Sequence, residues 1–291
     1  MVLLVADDYA MTEGVSAGIE QLAAAGRLSA TSVMTTSAHW PAHAPRIRAL
    51  RGGVAIGLHI DLTLLGPLGP MPRLAPGGKL PAIGALTRAA LMHGIDAAEI
   101  AAETERQLDA FERQLGFPPD HIDGHQHVHA LPGIRDGVLA ALKWRYPERR
   151  PLLRIPSDTL ARIRARKRHA AKAAVLSALA SGYTRAVAAA GFPANAGFAG
   201  VSDFADAGTL ADFAAAALAP GDFQMIMCHP GFPDDELKRI DPVVERRRSE
   251  LDLLGGKTEL PFRVWRPERA ADGAPVDWRA ARAACKRGGR A

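Results

Sequence analysis

The sequence predicts an α/β protein: a TIM-like β/α barrel, closed or partly closed and so distorted, of about seven or eight mostly parallel strands. Three observations predict it. Short apolar runs alternate with helical stretches of a dozen or more residues, which means βαβ units and a parallel sheet. Residues 6–11, directly after the first apolar run, contain no glycine, which argues against a dinucleotide fold or a P-loop. Residues able to do chemistry stand at the C-terminal ends of the apolar runs, where a parallel barrel builds its active site.

Each element follows from local pattern. Residues 2–6 read as a buried strand. Thr12 caps a helix in which Val15, Ile19 and Leu22 share one face, and Gly26 ends it. Residues 32–34 and 54–58 are further short strands. The Pro/Gly-rich stretch 66–78 has no periodicity and reads as a long functional loop. Asp96 with Glu99 forms a capping-box variant that opens a helix bearing Ile100, Leu108, Phe111 and Leu115. Gly116 and the pair Pro118, Pro119 stop it. A strand at 121–128, a helix at 134–144, a strand at 152–155 and a long basic helix at 157–180 follow. Residues 197–201 and 223–228 are strands, and 261–264 is a candidate for the last. Residues 1–265 read as one domain, and 266–291 as a basic, poorly ordered C-terminal tail.

Composition narrows the function classes. The 291 residues are 48% hydrophobic and 23% charged, enough for a large core. Two cysteines exclude a disulfide framework or a Cys-based zinc finger and fit a reducing cytosol. Asp7 and Asp8 cut the first apolar run short of a signal sequence, and no uncharged apolar stretch reaches membrane-spanning length. A cytoplasmic location is expected. The net charge of +5 is concentrated: residues 143–172 hold eleven basic and two acidic residues, and 266–291 seven basic and three acidic. The remainder is net acidic, so nucleic acid is not expected as a partner. The basic segment reads as a solvated helix face, dispensable for chemistry; self-association is left open.

Four strand ends carry the candidate site. Asp7 and Asp8 end the first strand; adjacent carboxylates near a core call for an intervening cation or proton. His59 shares a strand face with the small residues Ala55 and Gly57, and Asp61 follows it. At a period of two, His121, Asp123, His125, His127 and His129 project to one side. Imidazoles and carboxylates without a thiolate suit Zn²⁺, Mn²⁺ or Fe²⁺, and Mg²⁺ where waters complete the shell. His229, where the chain breaks after an apolar strand, suits a general acid near a cation. Its neighbour Cys228 reads as a packing residue, and Arg154 as a substrate or carboxylate contact.

Four segments occur in order: Val5-Ala6-Asp7-Asp8-Tyr9; Gly57-Leu58-His59-Ile60-Asp61-Leu62-Thr63; His121 through His129; and Met227-Cys228-His229-Pro230. Together they resemble the YdjC family of carbohydrate deacetylases, which includes the chitooligosaccharide deacetylases and the hopanoid-associated HpnK branch. The resemblance runs from about residue 2 to about residue 255. It implies a TIM-like barrel that removes acetyl groups from N-acetylated sugars, oligosaccharide or glycolipid, with a divalent metal ion. By position, Asp8, His59 and His125 match the metal ligands, Asp7 the general base and His229 the acid. Asp61, Asp123, His127, His129 and Arg154 would orient those groups or touch substrate. Mg²⁺ is the ion the resemblance suggests; Zn²⁺ or Mn²⁺ would serve chemically. The sequence departs from the pattern at Ala10, where the family commonly has glycine, in the basic stretch near 160–170 and beyond 265. Two other readings stay open: a different metal-dependent hydrolase on the same barrel, cleaving a phosphoester or cyclic amide, and a non-catalytic sugar-binding protein.

Overall fold

A computed structural model describes residues 1–267 and 274–288. Strands and helices alternate as the apolar pattern requires. Strand β1 (Leu3–Tyr9) leads into α1 (Glu13–Ala24), β2 (Ala30–Val33) into α2 (Trp40–Arg48), and β3 (Ala55–Ile60) into α3 (Ile83–Leu91) and α4 (Ala97–Leu115). Strand β4 (His121–Gly124) passes through a short 3-10 segment (His125–Ala130) into α5 (Ile134–Arg145). After β5 (Leu152–Leu153) come α6 (Leu160–Arg166), α7 (Ala170–Leu179) and α8 (Ser181–Ala190). Strand β6 (Gly197–Ala199) precedes α9 (Thr209–Ala217), and β7 (Gln224–Cys228) precedes α10 (Asp235–Ile240), α11 (Glu245–Gly255) and α12 (Trp278–Gly288). The expected caps form: Thr12 Oγ1 accepts the Val15 N–H, and Asp96 accepts those of Ala98 and Glu99.

The seven strands make one parallel sheet in the order β5-β4-β3-β2-β1-β7-β6. It curls into a half-barrel whose edges approach at a single parallel bridge between Leu153 and Ala194. Beside that bridge the Asn195 side chain accepts the Ile155 N–H and donates to the Ile155 carbonyl. An amide side chain thus takes up the edge groups that a full ladder would pair. Inside the curl lie Leu3, Val5, Ala30, Ala55, Leu152, Phe198, Phe223, Met225 and Met227; the helices pack on the outer face.

Three expectations are corrected. The long helix at 157–180 is broken, because Lys167 (φ 63°) and His169 (φ 49°) take left-handed backbone that a helix cannot contain. Helix α7 buries none of its residues, so the segment carries no continuous apolar stripe. Residues 261–264 do not add a strand; Val264 makes one parallel bridge to Val2. The described part of the expected disordered tail contains α12, which plugs the N-terminal end of the barrel. Trp278, Ala281 and Cys285 lie on one helical face, are buried in the inner core, and Trp278 Nε1 donates to the Asp120 carbonyl at 2.7 Å. Its high charge hid that stripe. Residues 268–273 and 289–291 of the same stretch lie outside the described residues. No single described helix is long and apolar enough to cross a membrane; α7 and α8 qualify only as a pair bent by 47°.

Candidate active site

The C-terminal ends of β1, β3, β4, β6 and β7 converge on a cavity of about 400 Å³. Strand β1 loses register with β2 between Ala6 and Tyr9, and Asp8 turns left-handed at φ 73°. Side chains of adjacent strand residues ordinarily point to opposite faces; with this irregularity Asp7 and Asp8 both line the cavity. Ala10 is also left-handed, at φ 72°, the conformation that glycine takes without cost. The turn therefore keeps a glycine-like geometry without the glycine. It is held by the Ala10 N–H, which donates to Ser16 Oγ at 3.0 Å.

Asp8 Oδ1 lies between two imidazoles, 3.2 Å from His59 Nε2 and 3.0 Å from His125 Nδ1. Each of the three residues offers one ligand atom, all within 4.8 Å of one another, and all three are buried. His125 Nε2 is buried without a hydrogen-bond partner. One carboxylate, two imidazoles and no thiolate fit a divalent ion such as Zn²⁺ or Mn²⁺, or a hydrated Mg²⁺. The other Asp8 oxygen accepts from Arg247 at 2.7 Å, and Arg247 also contacts Asp241 at 3.2 Å. Burial works against the Asp8 charge, yet Arg247 and His125 hold its carboxyl well below the usual range. Burial likewise works against a charged His59, but Asp123 and Asp8 push its pKa up to about 10. The His59 ring is therefore charged in the ion-free protein, and an ion bound there would displace a proton.

Beneath this trio runs a buried ion chain. His59 Nδ1 donates to Asp123 Oδ1 at 2.6 Å, and Asp123 Oδ2 accepts from Ser32 Oγ at 2.6 Å and Arg154 at 2.5 Å. Arg154 grips Asp7 with both terminal nitrogens, each at 2.6 Å. Asp7, His59 and Asp123 also sit close enough to share an ion, but Arg154 already pairs with both carboxylates. Gly57 makes room for this chain: a side chain there would strike the His121 ring, which contacts Ser32 Oγ at 3.0 Å. On the far side His229 Nε2 stands 3.9 Å from Asp7 Oδ2. Burial lowers the His229 pKa, opposed by Asp8 and Asp7.

The remaining predicted residues separate. The strand at 121–128 stops at Gly124, and Gln126 (φ 52°) and His127 (φ 62°) turn left-handed. The two-residue alternation therefore fails beyond Asp123. His127 still lines the cavity, with Nδ1 unpartnered. His129 lies outside the cavity lining, its Nε2 donating to the Arg154 carbonyl at 2.9 Å, so it bears on the site only through Arg154. Asp61 belongs to a loop: it accepts the N–H groups of Thr63, Leu64 and Leu65 and the Thr36 hydroxyl. Four donors use up its lone pairs, which corrects its assignment to substrate or ligand support. Asp61→Ala is expected to cost roughly 2–3 kcal/mol in thermal unfolding, as donors to a charged acceptor lose their partner. It should leave ion binding unchanged in metal analysis; lost binding would return Asp61 to the site.

Sequence reading missed Arg247, Asp241, Lys172 and Phe204, all of which line the cavity. Arg247 lies in a run of three arginines that looks like a solvated face, yet it is 1% exposed. Of the basic segment expected to be dispensable for chemistry, Lys172 lines the cavity, and Arg154, expected as a substrate or carboxylate contact, pairs with Asp7 and Asp123.

The YdjC-like protein family model matches residues 1–259. The chitooligosaccharide deacetylase of Yersinia pestis (strain Pestoides F) is 36% identical over 141 residues, 48% of this chain and 54% of that protein. That of Enterobacter sp. (strain 638) is 32% identical over 134 residues, 46% and 52% of the two chains. This chain thus spans about half the length of the curated relatives it matches. A crystal structure from Enterococcus faecalis V583, described as a cellobiose-phosphate cleavage protein, shares the fold. Its TM-score is 0.66 at 21% identity, over 88% of this chain and 90% of that one.

Proposed function

The chain belongs to the YdjC-like protein family, and on that premise we propose that it removes acetyl groups from N-acetylated sugars, releasing acetate and a free amine. The observation that carries this reading is the convergence of Asp8, His59 and His125 at one point of the cavity, with Asp7 and His229 beside them. The relatives named chitooligosaccharide deacetylase support an acetamide as the bond attacked. The substrate class is an N-acetylated oligosaccharide or glycolipid. Asp8, His59 and His125 would hold the divalent ion, with Mg²⁺ favoured by the family resemblance. Two free, buried cysteines fit the cytoplasmic location expected from the sequence.

A divalent ion held by these residues supplies Lewis acidity toward a carbonyl oxygen and lowers the pKa of water. Asp7 takes the proton of the attacking water. Arg154 fixes both of its oxygens, so the base meets the water in one orientation. His229 gives a proton to the departing sugar amine. The 3.9 Å between Asp7 Oδ2 and His229 Nε2 offers a short path for the proton from one to the other. A sugar-binding protein without catalysis would have no use for this pair beside an intact ligand set.

The test is acetate release from a panel of N-acetylated sugars and lipid-linked sugars, after chelation and with metal restored. His229→Ala should retain the ion and lose roughly 10²–10⁴-fold in rate on an unactivated sugar amide. It should lose much less on an activated acetyl ester, whose leaving group needs no proton. Equal losses on both would leave His229 as a binding residue only, and no acetate from any sugar would overturn the reading.

A further inference from the structure

His229 is the proposed acid, yet among the described residues its ring makes no hydrogen bond; the Asp7 carboxylate is 3.9 Å away. An imidazole that must present a proton to one atom needs some other restraint. Two contacts supply it. The His229 N–H donates to Glu250 Oε2 at 2.6 Å, which anchors the main chain where β7 ends. The Phe204 ring meets the His229 ring edge-to-face, centroids 5.3 Å apart at 82°. Phe204 itself has left-handed backbone, φ 64°, which a bulky residue adopts only when its surroundings impose it.

Both contacts lead to one guanidinium. Arg246, on α11, is 3% exposed. Its Nε donates to Glu250 Oε1 at 2.8 Å, and its terminal Nη1 donates to the carbonyl of Ala205, the residue after Phe204, at 2.9 Å. The same nitrogen reaches Asp212 Oδ2 at 2.8 Å. Asp212 is in turn held by Arg168 at 2.5 Å and His169 at 3.0 Å, at the break between α6 and α7. The planar fork of arginine can span these acceptors at once; the single ammonium of lysine cannot. Lys172 also lies 4.5 Å over the Phe204 ring and donates to the Ser202 carbonyl at 2.7 Å.

We propose that Arg246 is a positioning residue for His229: through Glu250 it sets the histidine's main chain, and through Ala205 it seats Phe204 against the imidazole. This inference rests on the reading of His229 as the acid for its kinetic consequence, but not for its structural one. Arg246 touches neither the cavity nor any proposed ligand.

The experiment uses the full chain with two variants. Arg246→Lys keeps the buried positive charge and so avoids stranding Glu250 and Asp212. Phe204→Leu, at a half-buried position, removes the ring that His229 and Lys172 meet and leaves the Arg246–Glu250–Asp212 ion network untouched. In ion-free protein carrying isotope-labelled histidine, the His229 ring signal is assigned by His229→Gln. It is expected to shift or broaden in both variants while the His59 and His125 signals stay in place. With metal restored, Arg246→Lys should lower kcat on the sugar amide about 10–100-fold with KM nearly unchanged, since misplacement of about 1 Å costs up to that much. The loss on an activated acetyl ester should be several-fold smaller. An unmoved His229 signal in both variants, or equal kinetic losses on amide and ester, would overturn the proposal. If the parent protein deacetylates nothing, the reaction assignment falls, and the His229 signal alone still decides whether Arg246 positions it.

Discussion

Replacing His59 or His125 with alanine is expected to abolish tight binding of a divalent ion. Either change leaves two of three ligands, and even residues that only support a metal ligand are worth about 10–100-fold in affinity. A lost ligand should therefore cost more than about 100-fold. Both variants should fold. In His59→Ala, Asp123 keeps Ser32 and Arg154 as partners, and Asp8 keeps Arg247. In His125→Ala, the one hydrogen bond lost is that to Asp8, together with the edge contact to the His59 ring, and the Nε2 of His125 has no partner to strand. Metal content after dialysis against a weak chelator, with calorimetric titration of added ion, measures the effect. Parent-like metal content in both variants would show that the ion sits elsewhere or is absent from the chemistry.

Arg154→Met is expected to be the most destabilising single change in the barrel. Arg154 is fully buried between Asp7 and Asp123, and both carboxylates are buried with it. Removing one member of a buried ion group strands the others, at a cost of about 3–5 kcal/mol. At about 2–4 °C per kcal/mol for a chain of this size, the melting temperature should drop by roughly 10 °C. The penalty should depend on pH. Burial opposes the Asp123 charge, but Arg154 and His59 hold its pKa far below the ordinary value. A depressed carboxylate contributes stability that is fully present above its unfolded pKa of about 3.9 and is lost as pH falls toward the folded value. The difference in unfolding free energy between parent and variant should therefore be full near neutrality and shrink as pH falls below about 4. A difference that stays constant down to acid pH would mean that lost packing, not lost charge pairing, dominates.

Asp8, His59 and His125, the expected ligands, come within reach of one another because of where strands end. Asp8 and His59 stand at the ends of apolar runs whose length and flanking residues are local properties. His125 matches a ligand only through the family resemblance; alternation places it among five residues of a strand that in fact ends one residue earlier, and it reaches the same cavity from a turn. Asp61 failed for the complementary reason. A carboxylate two residues after a strand histidine looks like a site residue in sequence, while the backbone of the next loop decides that it is a cap for Thr63, Leu64 and Leu65.

What the sequence determined by itself is what short-range physics determines: alternating strands and helices, the caps at Thr12 and Asp96, and a row of imidazoles and carboxylates at strand C-termini. Only the tertiary structure decided which charges meet. Arg154 lies 147 residues from Asp7, and Arg247 lies 239 residues from Asp8. Its strand-end position marks Arg154 as a candidate contact, but nothing local names its partners; Arg247 belongs to a basic run that resembles solvated surface. Arg246, between Glu250 and Asp212, is equally hidden. The same holds for Trp278, whose apolar face means little until the open end of the barrel is there to receive it. Hydrophobic periodicity and turn chemistry act over a few residues and can be read from the chain. Desolvating an arginine is favourable only where distant carboxylates have already been brought together, and that condition exists only in the folded protein.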